Sequence, residues 1–195
     1  MVRKLERYTR AADAGDNETL NFVNYGVKKK VEGKYKRNRI LMICGYVIFS
    51  LIYVLIFLVP VKMPTLIAVL PVLLRILFLA TWYKVSIEYE YTIAAGVIKL
   101  LEVFGSRYYR TIAEVRVSAM SVIAPYNREY KPQADSDAVK NRYYCVSCME
   151  TPDLYFGRYK NEQGEECVVF FEATEKTLKV MKYYNENVVI AKTTH

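Results

Sequence analysis

Cys145-Val146-Ser147-Cys148 carries the spacing that zinc and thiol-redox chemistry use, two sulfurs separated by two residues. A closed zinc site needs four donors, and Cys167 supplies only a third. The single histidine, His195, is the last residue of the sequence. The pair also falls inside a strand-like run, Arg142 to Met149, where side chains three apart point to opposite faces. Cys145, Cys148 and Cys167 therefore read as small apolar packing residues, free thiols in a reducing compartment. A metal or thiol site on the three stands as the alternative.

Other chemistry finds less material. Without an internal histidine, neither a Ser-His-Asp triad nor a Cys-His dyad can assemble. Eight scattered glycines form no phosphate-cradling loop. Glu88 and Glu90 share the polar face of one strand, as solvated carboxylates do. The sequence thus points to no catalytic residue, no cofactor and no enzyme. Tyrosine is the unusual component, eighteen of 195 residues, with adjacent pairs at Tyr108-Tyr109, Tyr143-Tyr144 and Tyr183-Tyr184. In a strand such a pair sends one ring inward and the other outward.

What positions these residues is dominated by two apolar runs, Ile40 to Val59 and Pro64 to Trp82, joined by Pro60-Val61-Lys62-Met63. About 20 apolar residues suffice to cross the hydrocarbon core as a helix. The first run has no charge and the second has only Arg75. The pair predicts a transmembrane helical hairpin over 40–82. Its late start and its second span argue against a cleaved signal peptide. Pro71 should bend the second span. Arg75 is an intramembrane charge, read as snorkelling or pairing across an oligomer contact. Trp82 and Tyr83 fall where an interfacial aromatic belt belongs.

Charge sets the expected topology. Residues 1–39 hold eleven Lys and Arg against five Asp and Glu, whereas residues 83–195 hold fifteen of each. The neutral balance of residues 83–195 rules out a strongly basic, nucleic-acid-binding tail. Lys28, Lys29, Lys30, Lys34, Lys36, Arg37 and Arg39 crowd the approach to the first span and predict cytoplasmic N- and C-termini in the cell membrane. The same side chains are candidates for contact with anionic inner-leaflet headgroups. Residues 1–39 read as a basic arm, loosely ordered at first. A short amphipathic helix is then capped by Asp16 or Asn17 and carries Leu20, Val23, Val27 and Val31. Asn17-Glu18-Thr19 spells a glycosylation acceptor that a cytoplasmic arm would never use.

Residues 83–195 predict a β domain. Val85, Ile87, Tyr89, Tyr91 and Ile93 alternate with polar residues, the pattern of an antiparallel strand with one face packed. Further strands are expected over Val97–Phe104, Arg107–Ile112, Val115–Ile123, Arg142–Met149, Leu154–Lys160 and Glu166–Phe171. Gly164 supplies positive φ in the last hairpin loop. Residues 125–141 read as a long exposed loop, and a helix over 174–189 closes the chain.

About seven antiparallel strands closed by an amphipathic helix resemble the pleckstrin-homology-like fold, as a β-sandwich or partly open barrel. Phe22-Val23 leading into Val27-Lys28-Lys29-Lys30 before the hairpin, and Glu88-Tyr89-Glu90-Tyr91-Thr92 after it, are similar to a narrower group. Ala124-Pro125-Tyr126 and Tyr155-Phe156 add to that likeness. The group consists of two-span proteins of Gram-positive anaerobes, a domain-of-unknown-function family. The resemblance implies an α+β membrane protein and brings no catalytic or ligand residues.

The function expected is a non-catalytic, membrane-tethered interaction or scaffolding module. Its partners would be anionic inner-leaflet lipid and a membrane protein or a second copy, with no nucleic acid. An accessory subunit of a transporter or channel, acting through the hairpin, is the alternative.

Overall fold

The computed structural model describes residues 6–7 and 22–191. The strands and helices, in chain order, are β1 (Glu6–Arg7), β2 (Val23–Lys28), α1 (Gly33–Leu58), α2 (Leu70–Thr81), β3 (Ile87–Ala94), β4 (Val97–Phe104), β5 (Tyr108–Arg116), β6 (Met120–Pro125), α3 (Lys131–Ala134), β7 (Asn141–Cys145), β8 (Leu154–Lys160), β9 (Glu166–Glu172) and α4 (Glu175–Tyr184). They form two compact units. Residues 1–29 and 88–195 make up the β domain, and residues 30–87 the helical unit.

The domain has two sheets, ordered β1-β5-β4-β3-β2 and β6-β8-β9-β7. Its first finding overturns the expected amphipathic helix: residues 23–28 are a strand. Val23, Tyr25 and Val27 alternate with Asn24, Gly26 and Lys28, a period of two. The β-prone Val and Tyr side chains then gain a partner that a lone helix lacks. Val23 is buried, and the Tyr25 ring lies 4.7 Å from that of Tyr91 on β3. β2 pairs antiparallel with β3 from Val23↔Ile93 to Lys28↔Glu88. The sheet thus draws one strand from before the apolar runs and the next from after them. The expected cap at Asp16 or Asn17 and Leu20 lie outside the described residues, whereas within the start expected to be loosely ordered Glu6 and Arg7 form β1, paired with Tyr109 and Tyr108 of β5.

Further boundaries differ from expectation: β3 begins at Ile87, with Val85 in a 3-10 turn, β5 runs on to Arg116, and β7 ends at Cys145, leaving Cys148 beyond the strand. The single strand expected over Val115–Ile123 is divided by a 3-10 turn at Val117–Ala119, so that β5 lies in one sheet and β6 in the other. Residues 125–141 are not simply an exposed loop. Their α3 and the turn after it place Ala134 and Val139 against Phe156, Val168 and Phe170, covering one face of the second sheet. β9 therefore reads as an unbroken apolar run because both its faces are covered. Finally, α4 stops at Tyr184 instead of reaching residue 189. The Asn185 amide donates to the carbonyls of Val117 and Met120, and Val189 bridges to Ile123 on β6.

Thr174 caps α4 as expected, accepting from the Thr177 N–H at 3.2 Å. Gly164 has φ of +75°, as its hairpin loop requires. Gly96, in the β3–β4 turn, has the same φ, and a Cβ there would lie 2.9 Å from the Tyr184 ring of α4.

In the helical unit, α1 begins at Gly33, seven residues before the apolar run, because Lys34 to Arg39 are already helical. Its 26 residues span about 39 Å at 1.5 Å per residue. Pro64–Val69 forms a 3-10 helix that leads into α2, and Trp82–Val85 is a 3-10 turn. By length and composition, residues 33–58 and 65–85 could each cross a membrane.

Tyr35, Arg39, Met42, Tyr46, Ser50, Tyr53, Val54 and Phe57 are the half-buried seam of α1, at near-heptad spacing. Along it, the Tyr46 hydroxyl meets Thr81 Oγ1 at 2.6 Å, and Thr81 in turn donates to the Leu77 carbonyl at 2.6 Å. Tyr46 is therefore the donor between the helices. A second bond joins α1 to the 3-10 turn before α2: the Tyr53 hydroxyl donates to the Leu66 carbonyl at 3.0 Å. In hydrocarbon such a hydroxyl has no water to turn to in its place. Tyr53→Phe is expected to loosen the hairpin by about 1 kcal/mol, read as a lower unfolding midpoint in bicelles.

Candidate functional site

Local sequence places a group of interacting side chains at the ends of α1 and α2. α1 has no acidic residue in its first turn, and its N-cap Glu32 makes no side-chain cap bond. Lys34, Lys36 and Arg37 sit instead at a helix start whose dipole favours anions. These three are exposed and make no ion pair among the described residues. Each lysine there costs the helix a few tenths of a kcal/mol, which an anionic surface would reverse.

Arg39 is held differently. Its guanidinium lies 5.1 Å from the Trp82 ring centroid and 5.7 Å from that of Tyr35, a cation between two aromatic faces. The Trp82 ring itself stacks on Phe78 at 4.8 Å. The Tyr35 hydroxyl donates to the Val85 carbonyl at 2.6 Å and accepts from the Ile87 N–H at 3.1 Å. Tyr35, Arg39 and Trp82 thus tie the start of α1 to the turn that follows α2. Lys30 pairs with Glu32 at 2.5 Å. Tyr83 is half-buried, and Arg75 is exposed on α2.

Within the β domain, Lys28 lies 3.7 Å from Glu88, its register partner, with the lysine side chain 83% exposed. An ion pair so exposed is worth at most about 1 kcal/mol. The Lys29 ammonium donates to the Tyr89 hydroxyl at 3.3 Å. The seven expected basic residues therefore divide. Four have protein partners, and Lys34, Lys36 and Arg37 present their charge outward.

The three cysteines do not converge. β7 runs parallel to β9 with Asn141 opposite Cys167 and Cys145 opposite Phe171. Four residues of strand separate Cys145 from the position facing Cys167, about 13 Å. Among the described residues no group of three His, Cys, Asp or Glu side chains could hold a metal ion. Cys145 and Cys167 are buried, and burial pushes the Cys145 thiol up, away from the thiolate that metals and redox partners need. The alternative of a metal site on Cys145, Cys148 and Cys167 gains no support from the described residues.

Buried hydroxyls shape the alkaline behaviour of the domain. The Tyr91 hydroxyl donates to the Cys145 carbonyl, linking the two sheets. Burial raises Tyr91 and Tyr25 far above the usual phenol. Tyr126 is pushed up to about 12, first by desolvation and then by its bond to Asp135 Oδ2 at 3.0 Å. A folded-state pKa above the unfolded one adds stability that is complete below the unfolded value and lost as pH climbs through the folded value. Melting of the full chain in detergent should therefore be flat below pH ~9 and fall steeply above ~10, with tyrosinate absorbance rising alongside unfolding.

Sequence reasoning missed the hydroxyls of Tyr35, Tyr46 and Tyr53. Their signal was a seven-residue step between Tyr46 and Tyr53, polar groups repeating on one face of an otherwise apolar helix.

A family model described as Bacterial PH-like domain (DUF6106) matches residues 18–191. No curated protein and no solved structure matches the chain. The matched stretch contains β2, both apolar helices and the elements from β3 to α4 together, and leaves out β1.

Proposed function

The chain belongs to the bacterial PH-like domain family DUF6106, and from that premise we propose that it is an integral membrane protein whose PH-like domain works as a non-catalytic tethered interaction module. The observation that carries this reading is the register pair Lys28↔Glu88. Strand partners lie on one side of any bilayer, so any crossing made by the 59 residues between them must be matched by a return. Two apolar helices of spanning length occupy that interval. An even number of crossings follows.

The side is set by charge. Lys34, Lys36 and Arg37 are outward-facing cations at the start of α1, whereas the turn between the helices offers Lys62 alone. The positive end stays cytoplasmic, which puts the domain beside the inner leaflet. There the exposed lysines would meet anionic headgroups, each worth about 1 kcal/mol near the surface. Tethering raises the effective concentration of the domain at the membrane, so weak contacts suffice for partner capture. The outer edges of β2 and β7 end their sheets and would accept an added strand.

Alkaline carbonate extraction and protease protection test the reading. The full chain should stay in the pellet, and in sealed inverted vesicles external protease should remove the β domain while sparing the hairpin. Recovery of intact protein in the carbonate supernatant would overturn membrane insertion. Protection of the domain in inverted vesicles would overturn the orientation.

A further inference from the structure

We propose that Arg75 is a docking residue for a transmembrane helix of a different protein, one that carries an Asp or Glu carboxylate at matching depth. The inference rests on the membrane reading above and names the partner of the hairpin. Arg75 is exposed on α2, on the same side as Pro71, Val72 and Ile76, whereas Leu74, Leu77 and Phe78 are half-buried. Phe78 and Thr81 meet Tyr46 of α1, so the Arg75 face looks away from α1. Among the described residues the Arg75 side chain has no hydrogen bond or ion pair. No Asp or Glu occurs anywhere from residue 33 to residue 85.

Two features keep the guanidinium from escaping to the cytoplasmic interface. Arg75 lies seven residues before Trp82, about 10 Å of helix. Side chains on a helix tilt toward its N-terminus. α2 runs toward the cytoplasm, so that tilt carries Arg75 toward the bilayer centre, against the direction of snorkelling. The aromatic position at the helix end is also taken, because Arg39 already stands over Trp82. A buried cation of this kind needs an anion brought to it. A second copy brings only a second Arg75 and no carboxylate. Charge complementarity therefore selects an acidic residue on a foreign helix, where a bidentate guanidinium–carboxylate pair fits best.

The test uses the full chain reconstituted in phosphatidylcholine vesicles with a synthetic Leu/Ala transmembrane helix bearing one mid-depth Asp, followed by energy transfer between labels. Association should be about tenfold stronger for the wild type than for Arg75→Leu, and largely kept by Arg75→Lys. The same helix with Leu for Asp should bind all three equally weakly. Moving the charge one turn, by Val72→Arg in the Arg75→Leu chain, should shift the preference to a helix with its Asp one turn deeper. Equal binding of the Asp helix to wild type and Arg75→Leu overturns the proposal. So does loss of that binding when phosphatidylglycerol replaces part of the lipid, which would show that the guanidinium reaches headgroups. Failure of the wild-type chain to float with the vesicles would instead overturn membrane insertion itself, independently of Arg75.

Discussion

Joining Lys28 directly to Glu88 through Asn-Gly, with residues 29–87 removed, is expected to yield a soluble, folded domain that no longer sediments with membranes. The two residues are opposite one another at the end of the β2–β3 ladder, the place where a two-residue type I′ turn closes an antiparallel hairpin. The apolar helices form a unit of their own, so their removal leaves the sheets intact. The opposite experiment separates this from a trivial gain in solubility. A chain that starts at Glu88 lacks β2, and with it the buried Val23 and the Tyr25 ring packed on Tyr91. Burial of two such side chains is worth roughly 3–6 kcal/mol, a large part of the 5–15 kcal/mol that a domain typically has. It also bares the edge of β3 to pairing with other chains. The shortened hairpin chain should melt cooperatively as a monomer, and the truncated one should aggregate. If the truncated chain melts as well as the hairpin chain, β2 does not hold the sheet.

That contrast also explains what could be read from the residues alone. Long apolar runs are decided by length and composition, so both helices were legible. The strict alternation from Val85 to Ile93 and the family likeness were legible for the same reason: local pattern suffices. β2 was not, because six residues with Gly26 at their centre fit either period, and only a strand whose partners lie 60 to 70 positions away decides between them. The α4 stop failed similarly, since Asn185 is recruited by carbonyls of the distant Val117–Met120 turn. At the candidate site the cation-rich start of α1 was visible, but the division into held and outward-facing charges was not. Whether a lysine is spent on Glu88, Tyr89 or Glu32 depends on register and turn geometry. The third cysteine could not be placed from the sequence either, because it is the parallel pairing of β7 with β9, Asn141 opposite Cys167 and Cys145 opposite Phe171, that carries Cys167 away from Cys145.

Phe170→Ala should be the most damaging single substitution in the covered face of the second sheet, at about 3–5 kcal/mol. Phe170 is 1% exposed. Its ring stacks at 4.9 Å on Tyr144, meets Tyr126 edge-on at 5.2 Å and lies 6.5 Å from Phe156. Those neighbours come from three other parts of the chain: β7, the segment before α3, and β8. Truncation leaves a cavity under all of them, and α3 would lose the surface on which Ala134 and Val139 pack. Tyr144→Ala removes the other half of the same stacked pair, yet the residue is 49% exposed and its truncation leaves no closed void. Its expected cost is about 0.5–1.5 kcal/mol. Denaturant unfolding of the full chain in mild detergent, followed by tyrosine fluorescence, compares the two. Similar losses for both variants would mean that 125–141 is held by its own polar bonds, Tyr126 to Asp135 and Arg142 to the carbonyls of Asp135 and Ser136, and not by the apolar face beneath it. A gap of 2 kcal/mol or more, of the size that separates buried from exposed truncations, would show that the apolar face holds it.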